Sequence, residues 1–402
     1  MRILFLSSTF IERKEDADFI YEFVKSFRDK GHHVLVIASH SKGLPKEQTV
    51  NGIKVKRFQY LWPDSVQGLT HKAGIAQNLQ NSALVKAQMV PYSFFGMLEA
   101  RKAIKDFKPD IVEAMWAFPQ GFMAAFLKKF MHFKLGVHLF GAEVYLAKKY
   151  KMPFLVTWPC ESADVITANS TATNKFAKGL GIKKKINTVF CGGINTKRFN
   201  QRNSGSRVRK KHRLGKGKVI LVVGRLVERK GHVHLIRAMP HILKKIPNAK
   251  LVIVGSGPLE KEIKEEVKKL GLGKNVVMAG RVATEVLPNY YAACDVFCLP
   301  AIVDSRGETE GGQGLVVGEA MATGKPVVAS AVGGITDAVR HNWNGLLAEQ
   351  KNEKQLAGAI CKVLSDRKLR AKLVKNGLHF VREEASYASG ADKFLKLFRK
   401  AL

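Results

Sequence analysis

Lys218-Val219-Ile220-Leu221-Val222-Val223-Gly224-Arg225-Leu226-Val227-Glu228-Arg229-Lys230-Gly231 is the stretch that decides the fold class. Val219 to Val223 is an unbroken apolar run of strand length. An apolar run without alternation is buried on both faces, which is the mark of a parallel strand in an α/β sheet. The loop after it carries Arg225 and Lys230. Open α/β sheets bind ligands at the carboxyl ends of their strands. Two cations there suit an anion: arginine offers a planar fork and lysine a compact point charge.

A second cluster lies about ninety residues on, from Glu308 to Ala322, with Glu310 and Glu319 on either side of Gly311, Gly312, Gln313 and Gly314. Glycines let backbone approach phosphate oxygens closely, and a following helix supplies free N–H groups and a positive dipole end. The pattern predicts that helix from about Leu315 through Ala322, with Gly314, Leu315 and Val316 offering amides. Carboxylates beside such a cradle accept hydrogen bonds from ribose or sugar hydroxyls. Either cluster alone reads equally well as a solvated loop or an ordinary helix start. Together, each after a strand-like run, they read as a site for a nucleoside diphosphate carrying a hydroxylated group.

Working outward, apolar strand-like runs recur along the chain, among them Ile3–Leu6, Val34–Ile37, Ile111–Ala114, Gly136–Phe140, Val165–Ala168, Leu251–Val254, Val276–Ala279, Val296–Leu299 and Val327–Ala329. Amphipathic runs such as Ala17–Lys30, Ser93–Phe107 and Lys261–Leu270 lie between them. Strands alternating with helices imply parallel sheets covered on both faces. The 402 residues suffice for two such domains.

The net charge is +34. It is spread over both halves and is densest from Val165 to Val227, where sixteen Lys and Arg meet no Asp or Glu. Within that region "QRNSGSRVRKKHRLGKGK" (201–218) reads as a solvated inter-domain linker. Such a balance implies anionic partners: nucleotide donors, acidic glycans, polyprenyl phosphates or an anionic membrane surface. A biased composition without functional meaning is the competing reading. No apolar stretch is long enough to span a bilayer. Five scattered cysteines, Cys160, Cys191, Cys294, Cys298 and Cys361, fit a reduced cytoplasm and no disulfide framework.

The motifs "VVGRLVERKG", "LVIVGSGPLEKEI", "VVMAGRV", "YYAACDVFCLP", "EGGQGLVVGEAMATGKPVVAS" and "VGGITDAV" together resemble a retaining glycosyltransferase of the GT-B type, in the large family numbered four. "GHHVLVIASH", "KPDIVEAMW" and "CGGINTKRF" extend the resemblance more loosely into the N-terminal half. The resemblance implies an α/β protein of two Rossmann-like domains whose parallel sheets face a cleft. It implies an acceptor-side domain over 1–200, a nucleotide-sugar-binding domain over 201–384, and a C-terminal helix over 385–402 that crosses back to the first domain. It implies transfer of a sugar from a nucleoside-diphosphate sugar to a glycan or lipid-linked acceptor. No cofactor and no metal are then expected, with Arg225, Lys230 and Glu310 as catalytic residues. Gly224, Arg281, Val282, Gly311, Gly312, Gly314, Leu315, Val316 and Glu319 would hold the donor, with Arg281 and Val282 near the base. Location would be cytoplasmic, with the inner face of the membrane as the alternative.

This chain departs from the family in three places. Strict E-x7-E spacing before Glu319 would put the first carboxylate at Gly311, so Glu310 is assigned to the donor sugar and Glu308 is the fallback. In "VHLFGAEVY" Gly141 and Glu143 fit, but Phe140 stands where the family has histidine, and His138 comes two residues early. His138, Gly141 and Glu143 are the acceptor-side or donor-side candidates, with core packing the plainer reading of His138. "TFIERKEDADF" lacks the glycines usual after the first strand. Its Asp16-Ala17-Asp18 has a metal-binding form, but reads better as the acidic start of a helix.

Two other classes stand beside this one. One is another enzyme on the same fold, a phosphorylase or sugar-nucleotide epimerase. The other is a nucleic-acid binder, which would need basic and aromatic residues in a recognised module; none is evident, and no nucleic-acid partner is expected. "AAFLKKFMHFKLG" sets Phe126, Phe130 and Phe133 beside Lys128, Lys129 and Lys134. Core packing and a membrane-facing surface are both open there.

Overall fold

The structure is a computed structural model that describes residues 1–10, 19–70, 75–79, 83–190, 193–305, 307, 309, 312 and 314–402. The chain separates into two compact units, Met1–Gly193 with Tyr387–Leu402, and Ile194–Ser386.

The first unit holds β1 (Arg2–Leu6), β2 (His33–Ser39), β3 (Glu47–Val50), β4 (Ile53–Phe58), β5 (Ile111–Met115), β6 (Lys134–Leu139), β7 (Val165–Ala168) and β8 (Asn187–Thr188). They form one sheet in the order β3-β4-β2-β1-β5-β6-β7-β8. Only the β3–β4 hairpin is antiparallel. Strands β1, β2 and β5 are buried on both faces, as their unalternating sequences require. On one face the helices Phe19–Asp29 and Tyr387–Ala401 interlock through Phe23, Phe27, Phe394 and Phe398, which meet mostly edge to face. On the other lie the helices Met89–Phe107, Phe122–Lys128, Ala142–Lys149 and Phe154–Ser162.

The second unit holds β9 (Val219–Val223), β10 (Lys250–Val254), β11 (Val276–Gly280), β12 (Val296–Leu299), β13 (Val327–Ser330) and β14 (Leu346–Ala348). Its sheet is parallel throughout and runs β11-β10-β9-β12-β13-β14. The stretch that opened the sequence reading is therefore the central strand, buried at every residue. The strand order reverses between β9 and β12, which makes their carboxyl ends the switch point where doubly wound sheets bind ligands.

The basic segment 201–218 is not a solvated linker. It forms the helix Ser206–Lys211, with Val208 and Leu214 buried in the second unit. Arg209 donates to the Asp295 carboxylate at 2.8 Å. A Cβ on Gly205 would sit 2.3 Å from Ala293 backbone, so this chain lies tightly against its neighbour. Two apolar anchors among many charges hid this from a composition-based reading. The division between units falls at 193/194, ahead of the 200/201 boundary expected, because Ile194 bridges to Ser386 and packs against Gly318.

Phe126 is exposed on the helix Phe122–Lys128; that helix stops before Phe130, which is exposed, and Phe133, which is buried where the chain turns into β6. Cys160, Cys294, Cys298 and Cys361 are free and buried, and Cys191 lies outside the described residues. Among the described residues no helix is long and apolar enough to cross a membrane.

Candidate active site

Gly224 directly follows β9, with its N–H bonded to the Val254 carbonyl of β10 at 3.0 Å. Beyond it Arg225 is exposed, while Leu226 is fully buried and anchors the loop. A short 3-10 turn, Glu228–Lys230, brings the chain to Gly231 at φ +66°, and the helix His232–Lys245 begins there. Only glycine fits at 231. The conformation is left-handed, and a Cβ would lie 1.8 Å from the Pro300 carbonyl oxygen. The half-buried Lys230 lays its methylenes about Gly224, where a Cβ would meet them at 3.5 Å.

Pro300 opens the loop after β12, which leads into the second sequence cluster, so the two loops meet at the switch point. The Ile302 N–H donates to the Arg229 carbonyl at 2.9 Å. The Glu228 carboxylate accepts from the Ser305 N–H at 2.9 Å and from the Ser305 hydroxyl at 2.7 Å. Past the loop, Gly314 at φ +70° caps the helix Leu315–Ala322, which begins where the sequence predicted. The first N–H groups of that helix have no intrahelical acceptor. Glu308, Glu310 and Gly311 lie outside the described residues, as does the Asp16-Ala17-Asp18 segment. Gly312 is half-buried in the same loop.

Glu319 sits one turn into that helix, and its Oε2 accepts the Tyr291 hydroxyl at 2.7 Å. Burial pushes its pKa up to about 7, against the opposing pull of the Tyr291 hydroxyl and the Arg198 guanidinium. Tyr291 is itself fully buried and meets Phe199 edge to face. The carboxylate is thus held in place with its charge poised near neutrality.

On the other side of β9, the Gly255-Ser256-Gly257 turn after β10 continues the same edge. A Cβ on Gly255 would strike the Gly224 carbonyl at 1.9 Å, and one on Gly257 the Leu226 carbonyl at 2.5 Å. The Gly255 N–H reaches the Gly280 carbonyl at 2.9 Å, which sets Arg281 and Val282 directly beyond the end of β11. Arg281 is exposed and Val282 half-buried.

The second unit thus gathers Gly224, Arg225, Lys230, Gly314, Leu315, Val316, Glu319, Arg281 and Val282 at the carboxyl end of one sheet. The sequence reading missed Glu228, Ser305 and Tyr291, which fix the loops and the carboxylate. A carboxylate three residues after Arg225 carries no signal of its partner 77 residues away. It also missed His232, which is buried beside Gly231 with neither ring nitrogen bonded among the described residues. Burial and the nearby Lys230 lower its pKa to about 4, so it is neutral.

In the first unit the candidates divide. His138 is fully buried on β6, bonded at Nδ1 to the Thr167 hydroxyl at 2.8 Å and packed against Phe140 and Phe394. Burial lowers its pKa to about 3. It is a neutral residue of the core. Glu143, at the start of the helix Ala142–Lys149, does line a cavity. That cavity, about 400 Å³, lies at the carboxyl ends of β1, β5 and β6, lined by Ser8, Thr9, Trp116, Phe140, Leu146 and Tyr150 among others. The switch point of this sheet falls between β1 and β5. Glu143 Oε1 accepts the Phe140 N–H at 2.9 Å, and Oε2 is buried without a hydrogen-bond partner among the described residues. Burial pushes its pKa up to about 7, opposed by the Phe140 N–H and its backbone neighbours. Gly141, at φ +103°, turns the chain from β6 into that helix against the Thr173 hydroxyl. Trp116 holds φ +113°, rare for an aromatic residue, and stacks 4.5 Å from Phe140. Phe140, in the place of the expected histidine, is therefore part of the cavity wall.

Comparison with known proteins adds to this geometry. The family described as Glycosyl transferases group 1 matches residues 206–380, and Glycosyltransferase Family 4 matches residues 17–198. A GDP-mannose-dependent alpha-(1-6)-phosphatidylinositol monomannoside mannosyltransferase of Mycobacterium tuberculosis is 34% identical over 52% of this chain and 54% of its own length. The chain spans about half the length of the curated relatives it matches first. Among solved structures, sucrose-phosphate synthase of Thermosynechococcus elongatus superposes with TM-score 0.74 at 21% identity, covering 99% of this chain and 98% of that one. A HepE protein of Anabaena, in complex with UDP and glucose, gives 0.71 at 20% identity over the whole of both chains. These two likenesses establish the shared fold.

Proposed function

The chain belongs to the group 1, family-four glycosyltransferases, and from that premise we propose that it transfers a sugar from a nucleoside-diphosphate sugar to a glycan or lipid-linked acceptor. The transfer retains the anomeric configuration and needs no metal. The observation that carries the reading is the knitting of the β9 and β12 loops at the switch point, with Arg225 and Lys230 on one and a glycine-capped helix start on the other.

As the bond from the sugar to the diphosphate breaks, negative charge grows on the leaving phosphate. Arg225 and Lys230 carry that charge together with the amides of Gly314, Leu315 and Val316. With two cations and a helix start present, a divalent ion has no necessary task. Glu319 accepts ribose hydroxyls and Glu310 the hydroxyls of the donor sugar, with Gly311 and Gly312 allowing close approach. Arg281 and Val282 lie near the base. The cavity beside Glu143 and Gly141 in the first unit receives the acceptor. The mycobacterial relative, by its name, uses GDP-mannose and a phosphatidylinositol mannoside. That supports GDP-mannose as the first donor to try and a lipid-linked acceptor over a free glycan.

The test is release of nucleoside diphosphate from GDP-, UDP- and ADP-sugars, with thermal stability measured against the free diphosphates. A diphosphate at a hundred times its dissociation constant adds about 2.7 kcal/mol to stability. Stabilisation by one diphosphate, turnover that survives EDTA, and a product of unchanged anomeric configuration are expected. No stabilisation by any diphosphate would overturn the donor reading. Turnover lost to EDTA and restored by magnesium would overturn metal independence.

A further inference from the structure

The first unit has two unlike outer surfaces. The helices Phe19–Asp29 and Tyr387–Ala401 expose no large apolar side chain. The helix layer on the opposite sheet face exposes many. Along Met89–Phe107, Tyr92, Gly96, Ala100, Ala103 and Ile104 face the core. The outward stripe of the same helix carries Val90, Phe94 and Leu98, exposed to 75%, 54% and 48%. Residues four apart lie on one helix face, so the stripe is continuous. It is widened by an aromatic chain in which Phe94 meets Phe95 at 5.3 Å and Phe95 meets Trp62 at 5.1 Å. The neighbouring helix Phe122–Lys128, whose Met123 abuts Gly96, leads to Phe126 and Phe130 with rings 5.4 Å apart and Phe130 72% exposed.

Soluble surfaces rarely hold so many large apolar side chains together unless they meet something. The charge around them says what. From Ala83 to Phe154 the chain carries eleven Lys and Arg against five Asp and Glu. Two of those acids, Glu113 and Glu143, are buried with raised pKa values. Lys102 and Lys105 follow the apolar stripe on the same helix, and Lys129 lies 5.3 Å over the Trp158 ring. A second copy of this chain would set lysine against lysine. A bilayer with anionic headgroups takes both components, apolar rings at the acyl boundary and ammonium groups among the phosphates.

We propose that the outer face of the helices Met89–Phe107 and Phe122–Lys128 seats the protein on an anionic lipid bilayer. The inference locates the membrane contact on defined side chains. It rests on the lipid-linked acceptor reading for its purpose and on the exposed residues for its evidence.

The experiment is co-sedimentation of the full chain with vesicles of phosphatidylglycerol and phosphatidylcholine in equal parts, and with phosphatidylcholine alone. The wild type should bind the anionic vesicles and release them as salt rises. The Phe94→Glu/Phe130→Glu double variant should bind at least about tenfold more weakly. Both positions are exposed, so the variant should keep its fold and its stabilisation by a nucleoside diphosphate. Phe130→Ser alone should give a smaller loss. Equal binding by wild type and double variant would overturn the proposal, as would no binding by the wild type at low salt. A wild-type dimer that the double variant splits, by sedimentation velocity, would give the face to a second copy instead. If vesicle binding fails while diphosphate release persists, the function stands and only the docking face falls.

Discussion

Gly231→Ala tests the architecture of the proposed donor site with no change of charge. Alanine in the left-handed region costs about 1–2 kcal/mol of backbone energy. The new Cβ would also stand 1.8 Å from the Pro300 carbonyl oxygen, a distance no packing tolerates. The β9 and β12 loops must then part, which strains or breaks the Ile302–Arg229 hydrogen bond at 2.9 Å. A backbone hydrogen bond is worth about 1 kcal/mol net. The total is about 2–3 kcal/mol, or about 4–12 °C for a unit of this size at about 2–4 °C per kcal/mol. Gly224→Ala is the control, because its Cβ would meet only flexible Lys230 methylenes at 3.5 Å. Calorimetry of both variants, with and without a nucleoside diphosphate, measures the effect. Gly231→Ala should lose stability and diphosphate binding together, and Gly224→Ala should lose far less stability. A Gly231→Ala protein within about 0.5 kcal/mol of wild type, binding diphosphate normally, would refute the claim that contact at Pro300 holds the two loops together.

Lys230→Ala or Arg225→Ala should cost about 10²-fold or more in turnover at nearly unchanged stability, measured by diphosphate release and thermal unfolding; near-normal turnover in a folded variant removes them from the site. Glu310→Gln should reduce turnover far more than Glu308→Gln, and the reverse order would shift the loop register by two residues. Diphosphate affinity should strengthen as pH rises through about 7, where Glu319 loses its proton, and Glu319→Gln should remove that portion of the profile while the phosphate's own titration remains. Glu113 is buried on β5 with both oxygens unpartnered among the described residues, and burial raises its pKa well above 4.5. The stability it contributes is fully present below the unfolded value and is lost as pH climbs toward the folded one. Glu113→Gln should therefore gain on wild type by up to about 1.4 kcal/mol per pH unit from about pH 5 upward; parallel stability profiles for the two would show that Glu113 does not stay protonated.

Much of this protein was legible one residue at a time. Val219 to Val223 announced a doubly covered strand because it has no polar face, and the glycine-capped start of Leu315–Ala322 followed from local backbone rules. Arg225, Lys230 and Glu319 were singled out because phosphate and hydroxyl chemistry asks for those types after strands, and the structure sets all three in one unit. What sequence could not hold was the partner of each group. Glu228 reads as one more surface acid until Ser305 is seen at its carboxylate. Tyr291 is an apolar-segment tyrosine until its hydroxyl is seen on Glu319. His138 and Glu143 stand five residues apart, yet one is sealed against Phe394 from the far end of the chain and the other opens into a cavity.

Charge misled for the same reason. The run 201–218 looked solvated because lysine and arginine dominate it, but two buried side chains and two ion pairs to Asp295, from Arg209 and Lys218, bind it to the second unit. Phe126, Phe130 and Phe133 recur at helical intervals, but the helix ends at Lys128, so Phe130 and Phe133 lie beyond it and only Phe133 joins the core. Local sequence determines which backbone shape and which chemistry a segment can offer, because those depend on neighbours a few bonds away. Burial and partners depend on which distant segment arrives, and for Phe94, Glu228 and Glu143 only the tertiary structure decided that.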